Sequence, residues 1–279
     1  METRLKSHLL TFSKYTDPGS HRELLLNLPD SIPEICRIIG GQLINSHTLY
    51  SSAECMIPEE RIRHDEQGLL TSSAILTELL LKNPEGLVLN RTTSQRVISS
   101  CRGSCLLFAS ILRTKGIPCW VRAGFDSSLP MAKGQKIVDH WICDYWDDNE
   151  KQWRLIDPDY LCEGLCRWEI SRDRYDFPAN VWLIASIGKI DPSDYGMPPN
   201  HWGLDYIKGN LCHDFLNLMN CEVPYLEGPA LFKIPIEKAS KSDLLLTNKL
   251  AMLMQDPIKN FGTLFSLWRT EPRLQMRDI

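Results

Sequence analysis

SSCRGSCLLFASILRTKGIP, residues 99–118, is the pattern of a buried helix followed by its stop signal. Between Leu106 and Leu112 the apolar residues are too closely spaced for a helix with a solvent-facing side, so we predict a central helix buried on most sides. The tripeptide at 116–118, Gly-Ile-Pro, predicts its end. Ser99 and Ser100 are suitable N-cap residues, which predicts that the helix begins near Cys101.

Two cysteines of this helix, Cys101 and Cys105, lie one turn apart on the same face. A thiol at a helix N-terminus is close to backbone N–H groups and to the positive end of the helix dipole, and both stabilise a thiolate. Position therefore favours Cys101 as a nucleophile and packing as the role of Cys105. Neither cysteine reacts in the alternative interpretation, since buried cysteines commonly serve as small apolar residues.

Three β-rich segments follow the helix and predict a sheet. The polar DDNEKQ between the last two predicts a hairpin. A turn centred between Asn149 and Glu150 places Ile142 opposite Asp157, which makes Asp157 a diagonal neighbour of His140 on one face. A register shift of one residue would undo this. The segments are CWVRAGF at 119–125, HWICDYW at 140–146 and WRLID at 153–157.

A nucleophilic thiol needs a base, and the base needs a group that fixes its tautomer. His140 and Asp157 supply these two functions. Each has a plainer explanation: a histidine beside Trp141 is often a core residue, and Asp157 can cap the turn at Pro158. Trp141 itself either shields the reacting pair from water or only packs. Arg102 could assist the thiolate, but an exposed arginine is common in a first helical turn.

The order of these motifs resembles that of the transglutaminase-like superfamily, which shares the papain-like Cys-His-Asp arrangement. In that family the nucleophilic cysteine opens the central helix, twelve residues before the arginine of L-R-x-x-G-I-P. Counting back from Arg113 gives Cys101, although Gly103-Ser104-Cys105 imitates the family's G-x-C. The resemblance implies that Cys101, His140 and Asp157 are the catalytic residues, without a cofactor or a metal. The matching blocks lie within residues 90–160 and are C-R-G-S-C-L-L-F-A-S-I-L-R-T-K-G-I-P, D-H-W-I-C-D-Y-W and W-R-L-I-D-P.

The chain departs from the family pattern around the nucleophile. Many relatives have glycine two residues before it, and an acidic and an aromatic residue two and three residues after it. This chain has Ser99, Gly103 and Ser104 at those positions. The later segments DPSDYG, WGL, YIKGNL and DFLNL resemble the C-terminal extension of a group of uncharacterised bacterial transglutaminase-like proteins.

We predict an α+β fold with a transglutaminase-like, papain-like core, in which the central helix packs on an antiparallel sheet. Residues 1–90 form the helical N-terminal part of the same domain, and residues 91–160 form the catalytic core. Residues 161–279 form a mostly helical extension that packs on the core or makes a small lobe. Ser20-His21-Arg22-Glu23 predicts a capping box that opens a helix, and Pro33 fits the first turn of another. Further helices are predicted over 72–82, 181–190, 210–220, 242–255 and 259–268.

Composition limits the partners and the location. The 31 Lys and Arg against 35 Asp and Glu, with no basic run, argue against nucleic acid. No apolar run is long enough for a secretory signal or a membrane span, so we expect a cytoplasmic protein without membrane association.

Ten cysteines without a disulfide pattern indicate reduced thiols. Cys162 and Cys166 lack partners at zinc-site spacing, so we expect no metal. The oligomeric state stays open.

The sequence therefore predicts a thiol-dependent acyl-transfer enzyme that acts on an amide, peptide or thioester carbonyl. The substrate is a peptide, a protein or a small acyl compound, and hydrolysis is favoured as the simpler outcome. The alternatives are an amide-forming acyltransferase of a biosynthetic pathway and a non-catalytic scaffold. His201-Trp202 repeats the dipeptide of His140-Trp141, but its loop-like segment offers no carboxylate partner. We interpret His213-Asp214 as a solvated or capping pair on a helix.

Overall fold

The computed structural model describes residues 2–46, 68–87, 91–127, 136–159 and 168–276. Within these ranges the chain combines helices and strands, which confirms the α+β class. It forms two compact units. The first contains Met1–His8, Arg122–Trp141 and Ser171–Ile279, and the second contains Leu9–Val121 and Ile142–Ile170. The predicted division at residues 90 and 160 follows motifs rather than packing, and it stays a prediction.

The elements are numbered in chain order. The described helices are α1 (Glu2–Leu9), α2 (Arg22–Leu26), α3 (Ile32–Gln42), α4 (Ser72–Lys82), α5 (Cys101–Thr114), α6 (Pro178–Ser186), α7 (Leu204–Leu218), α8 (Ala230–Lys233), α9 (Lys241–Met254) and α10 (Pro257–Thr270). The described strands are β1 (Leu43–Asn45), β2 (Val97–Ser99), β3 (Cys119–Asp126), β4 (Ile137–Asp147), β5 (Gln152–Ile156), β6 (Glu169–Ile170), β7 (Tyr195–Met197) and β8 (His201–Trp202). No helix in these ranges is both long enough and apolar enough to cross a bilayer.

The second unit is built around helix α5, every residue of which is buried. Helices α2, α3 and α4 pack against it. The predicted central helix is confirmed, and its dense apolar spacing is the reason, because each face needs an apolar neighbour. The helix ends before Gly116, whose φ of +76° lies in the left-handed region that glycine adopts readily.

The capping box predicted at Ser20 is wrong. Residues 19–21 form a 3₁₀ turn, and α2 begins after His21, whose side chain makes no capping hydrogen bond. The Asp17 carboxylate accepts the N–H of Gly19 at 2.8 Å, so the chain already turns before Ser20. The prediction for Pro33 is confirmed, since this proline lies in the first turn of α3.

Strands β4 and β5 form the predicted antiparallel hairpin. Cys143 lies opposite Ile156, and the ladder continues to the turn. Two contacts join helix α5 to this hairpin: the Phe108 and Tyr145 rings lie 6.4 Å apart, and the Cys143 thiol donates to the Cys105 carbonyl oxygen at 3.5 Å. Packing of the central helix on the hairpin is therefore confirmed within the second unit.

The sheet that was predicted to be antiparallel also contains parallel pairs. In the first unit, β7 pairs with β4 in parallel, with Ile137 opposite Tyr195, and β8 then pairs antiparallel with β7. In the second unit, β1 and β2 are also parallel. Strands β6, β7 and β8 were not predicted, because two or three residues are too few to show a strand alternation.

The helices predicted after Pro158 are confirmed in the first unit. Helices α6, α7 and α9 pack on one another, and α10 packs against α9. Helix α6 ends four residues before its predicted end at Ile190. The chain turns at Gly188, whose φ is +73°, so the apolar pattern continues beyond the helix that it predicted.

Candidate functional site

All three predicted catalytic residues are buried: Cys101 is 5% exposed, His140 4% and Asp157 0%. Cys101 and Asp157 belong to the second unit, and His140 belongs to the first. Each residue is fixed by contacts within its own unit.

Cys101 is the first residue of helix α5. Strand β2 leads into the helix, and Ser100 is the N-cap residue with an extended backbone, φ −112° and ψ 174°. The N–H of Ser104 donates to the Ser100 carbonyl oxygen at 3.2 Å and closes the first turn. The predicted helix start is confirmed. The thiol therefore lies where an α-helix presents its first N–H groups and the positive end of its dipole.

Cys105 lies one turn deeper in the helix and is completely buried. Burial raises the pKa of its thiol to about 12. Cys143 interacts with both Cys105 and Cys119. Burial also raises the pKa of the Cys119 thiol and of the Cys143 thiol well above the ordinary value. A thiol with so high a pKa is protonated at neutral pH and is a poor nucleophile. The environment of Cys105 is that of a packing residue.

Ser99 and Gly103 lie two residues before and two residues after Cys101, and their side-chain positions occupy the same space. A Cβ atom on Gly103 would overlap the Ser99 hydroxyl and would lie 3.2 Å from the Ser99 Cβ atom. Only one of these positions can therefore carry a side chain without movement of the other. Ser99 fills that space, and Gly103 leaves it open.

His140 lies on strand β4, and a contact to its backbone fixes it. The Tyr175 hydroxyl donates to the His140 carbonyl oxygen at 2.7 Å. This approach requires glycine at position 124, where a Cβ atom would come within 2.6 Å of the Tyr175 ring and hydroxyl. Sequence reasoning missed both residues. The signal was Gly124 itself, since a glycine inside a strand often marks the close approach of another segment.

Asp157 follows strand β5 directly. Its N–H donates to the Trp168 carbonyl oxygen at 2.7 Å, and its Oδ1 accepts the N–H of Asp159 at 2.9 Å. One carboxylate oxygen thus serves the turn, as the alternative interpretation expected. Continuing the β4–β5 register by one residue places Asp157 opposite Ile142, which is the pairing that the prediction required.

A second carboxylate, Asp159, joins this turn to helix α5. Its Oδ1 accepts the Ser104 hydroxyl at 2.7 Å, and its Oδ2 accepts the Asn45 amide. Ser104 lies three residues after Cys101, so Asp159 ties the turn that holds Asp157 to the helix that begins with Cys101. Sequence reasoning missed Asp159. The available signals, a second aspartate after D-P and a serine in an apolar helix, carry little meaning separately.

The two arginines of α5 hold the surrounding chain. Arg102 is buried rather than exposed, which corrects the expectation: its guanidinium stacks on the Tyr15 ring at 5.2 Å and donates to the Leu70 carbonyl oxygen at 3.2 Å. Arg113, from the L-R-x-x-G-I-P stretch, donates to the Cys119 carbonyl oxygen at 3.0 Å and to the Thr16 hydroxyl at 2.7 Å. Both arginines therefore have structural roles.

The interpretation of His213-Asp214 as a solvated or capping pair is wrong, because both residues are buried. Asp214 accepts two hydrogen bonds of 2.7 Å from the Arg122 guanidinium, and His213 Nε2 lies 2.9 Å from the Glu227 carbonyl oxygen. Helix α7 is buried continuously from Ile207 onward, so even its polar residues face protein. Arg122 supplies the charge that allows an aspartate to be buried there.

No group of three His, Cys, Asp or Glu side chains suited to a metal ion occurs in the described ranges. Cys162 and Cys166 lie outside the described residues. No protein-family model matches the chain, and no match was found among curated proteins or among solved structures. The resemblance to the transglutaminase-like superfamily therefore rests on the order and spacing of the motifs.

Proposed function

We propose that this chain is a thiol-dependent acyl-transfer enzyme with a transglutaminase-like, papain-like core. In this proposal Cys101 is the nucleophile, His140 is the general base and acid, and Asp157 orients the imidazole. The observation that supports it most is the start of α5 at Cys101, since a nucleophilic thiol gains from that position while Cys105 is held protonated by burial. The pairing of His140 with Asp157 in this proposal rests on the spacing of the two strands in the sequence.

The reaction proceeds through a thioester. The Cys101 sulfur attacks the carbonyl carbon of an amide or thioester while His140 takes the thiol proton. The bond to the leaving group breaks, and His140 donates that proton to the departing nitrogen or sulfur. Water then attacks the acyl-enzyme and gives a proton to His140, which returns it to the Cys101 sulfur as the acid leaves. Asp157 keeps the imidazole in the tautomer that accepts and returns protons.

The shared space of Ser99 and Gly103 explains the departure from the family pattern. The pattern has glycine before the nucleophile and a larger residue after it, whereas this chain has the larger residue first. Because a side chain at position 103 would force the Ser99 side chain to move, the exchange is a compensated pair of changes. It leaves the helix start at Cys101. The departure is therefore compatible with a nucleophile at this position.

Water is the acyl acceptor in this proposal, and the substrate is a peptide, a protein or a small acyl compound. An amine acceptor, which would make the chain an amide-forming transferase, is an outcome of the experiment below. The location that we propose is cytoplasmic. The seven cysteines within the described ranges are free thiols, which suits a reducing compartment.

Alkylation tests the nucleophile without a substrate. We expect iodoacetamide at neutral pH to modify Cys101 first, as measured by peptide mapping after partial labelling. Cys221 is the internal control, because it is 7% exposed against 5% for Cys101 and does not begin a helix. Equal rates at these two thiols would show that exposure alone governs labelling. First labelling of Cys105 would contradict the assignment, and labelling only after unfolding would favour a non-catalytic scaffold.

Trapping of the acyl-enzyme tests the reaction. The full chain is incubated with a panel of peptides and acyl thioesters, quenched in acid, digested and analysed by mass spectrometry. We expect an acyl adduct on the Cys101 peptide of the wild type and of Cys105→Ala, and none in Cys101→Ala. His140→Ala should slow both formation and release of the adduct. Product that is mainly amide when an amine is added would replace hydrolysis by amide formation.

A further inference from the structure

We propose that a cleft in the first unit binds a small organic cation, with the Asp139 carboxyl on its floor and aromatic rings on its walls. The cleft has a volume of about 400 Å³ and is lined by residues of the first unit alone. Strands β4 and β8, helix α7 and the chain around α8 form its sides. The proposal concerns binding only and does not rest on the acyl chemistry.

The floor of the cleft is polar although it is buried. Asp139, Asn210 and His213 line it, and they are 3%, 3% and 4% exposed. Asp139 Oδ2 accepts the Tyr206 hydroxyl at 2.8 Å, whereas its Oδ1 has no hydrogen-bond partner in the part of the chain that the structure describes. A buried carboxylate oxygen without a donor is costly. An N–H donor on a ligand would supply the missing partner.

The walls of the cleft are aromatic. Four rings line it, and a ring face attracts a cation because its π electrons are negative. Neither feature favours an anion, since carboxylate and ring faces both repel one. An ammonium group satisfies both features, and an apolar body matches the remaining wall. The rings are those of Trp202, Tyr206, Tyr225 and Phe232, and the Lys136 ammonium already lies over the Trp202 ring, 5.1 Å from its centroid.

The charged residues at the rim limit the shape of the ligand. Lys208 does not line the cleft; it donates to the Asp205 carboxylate at 3.2 Å and to the Ile234 carbonyl oxygen, so its charge is engaged. Lys233 lines the mouth and repels a cation there. The ammonium group must therefore reach the floor, and a slim arylalkylamine fits this requirement. The volume equals on the order of a dozen waters, enough for such a molecule.

Protonation of Asp139 sets the pH dependence. Burial raises the pKa of its carboxyl to about 7, although the hydrogen bond from Tyr206, the charge of His140 and the nearby Asn210 amide act to lower it. Only the ionised carboxylate attracts a cation, so affinity should rise with pH through about 7 while the amine stays protonated. His201 from β8, His213 from α7 and Lys233 from α8 also face the cleft. Protonated histidines would also weaken the binding of a cation at low pH. Substitution of Asp139 therefore separates its contribution from theirs.

The test is isothermal titration of the full chain carrying Cys101→Ala, which removes any acyl reaction. The probes are benzylamine, benzyl alcohol and benzoate, which share a ring and differ in charge. We expect saturable binding of benzylamine at pH 8, with benzyl alcohol about tenfold weaker or more, and no binding of benzoate. Asp139→Asn should weaken benzylamine by about tenfold or more and abolish the rise with pH.

Asp205→Asn is the matched control, because it removes a carboxylate from the rim of the same cleft. We expect it to change benzylamine affinity by about threefold at most, as for an exposed charge. Equal binding of amine and alcohol, no amine binding, an unchanged Asp139→Asn variant, or equal losses in both variants would overturn the proposal. If Asp139→Asn does not fold, Tyr206→Phe replaces it, and the pH at which amine affinity rises should then shift upward.

Discussion

Asp159, which is partly buried, and Asp139, which is buried, are two carboxyl groups that differ in their hydrogen-bond partners. In the second unit, Asp159 accepts a donor on each oxygen, from Ser104 and from Asn45. In the first unit, Asp139 accepts Tyr206 on one oxygen, and its other oxygen has no hydrogen-bond partner among the described residues. The first carboxylate is satisfied by the fold, and the second needs a proton or a ligand. A satisfied carboxylate positions its neighbours, whereas a half-satisfied one has capacity left for binding.

The largest expected effect is a pH dependence of the free energy of unfolding that comes from Asp139. Because the pKa of Asp139 is raised to about 7, the folded state holds a proton that the unfolded state releases near pH 4. The free energy of unfolding should therefore fall as pH rises from about 4 to about 7, and stay level above that range. At about 1.4 kcal/mol for each pKa unit, the fall is of the order of a few kcal/mol.

The Asp139→Asn variant should lack this fall and should be more stable than the wild type at pH 8. Urea unfolding at pH 5, 6, 7 and 8 measures it in both proteins. Asp205→Asn is the control, since its carboxylate lies at the rim of the cleft and half exposed. Parallel pH curves for wild type and Asp139→Asn would show that Asp139 is satisfied in solution and would end the contrast with Asp159.

The next effect concerns the positioning role of Asp159. The Asp159→Ala variant leaves the Ser104 hydroxyl and the Asn45 amide without their acceptor, which should cost about 1–3 kcal/mol of stability. It also releases the turn that holds Asp157 from helix α5. With an assayable acyl substrate we expect kcat to fall about tenfold while KM changes little, because in this proposal Asp159 acts through the turn that holds Asp157 rather than on the substrate.

Two variants separate positioning from general destabilisation. Asp159→Asn keeps an oxygen acceptor for Ser104 and should recover most of kcat. Asp148→Ala removes an exposed aspartate from the β4–β5 turn and should leave kcat unchanged. A loss in Asp159→Ala that Asp159→Asn does not recover at all would mean that the charge of Asp159, rather than its hydrogen bonds, matters. Wild-type kcat in Asp159→Ala would remove its positioning role.

The comparison also shows which features the sequence can predict. Helix α5, its start at Cys101 and the β4–β5 register follow from periodicity, a capping residue and a short turn, all of which are local. The partners of Asp159 are not local: Ser104 is 55 residues away along the chain and Asn45 is 114. No single one of these residues has a distinctive pattern around it. Such networks emerge only after the elements have packed.

The burial of His213 and Asp214 was predicted wrongly because their partners are also distant in the sequence. His213 and Asp214 have the polar character of a surface pair, and only the Arg122 guanidinium, 92 residues earlier, makes burial of Asp214 acceptable. The Tyr175 hydroxyl likewise reaches the His140 carbonyl oxygen across 35 residues, through space that Gly124 leaves open. A sequence pattern indicates which residues are polar, but their partners decide whether they are buried.

The smallest expected effect compares the removal of one hydroxyl donor from each carboxyl. Ser104→Ala leaves Asp159 with the Asn45 donor, so we expect a loss of about 1 kcal/mol, the usual contribution of one hydrogen bond. Tyr206→Phe removes the hydrogen bond that the Tyr206 hydroxyl donates to Asp139 Oδ2. That bond favours the charged form, so its loss should raise the pKa of Asp139 further and move the pH range of falling stability upward. Urea unfolding of both variants across pH 5–8 measures the two responses. No loss of stability in Ser104→Ala, or an unmoved pH range in Tyr206→Phe, would show that these hydroxyl donors do not distinguish the two carboxyls.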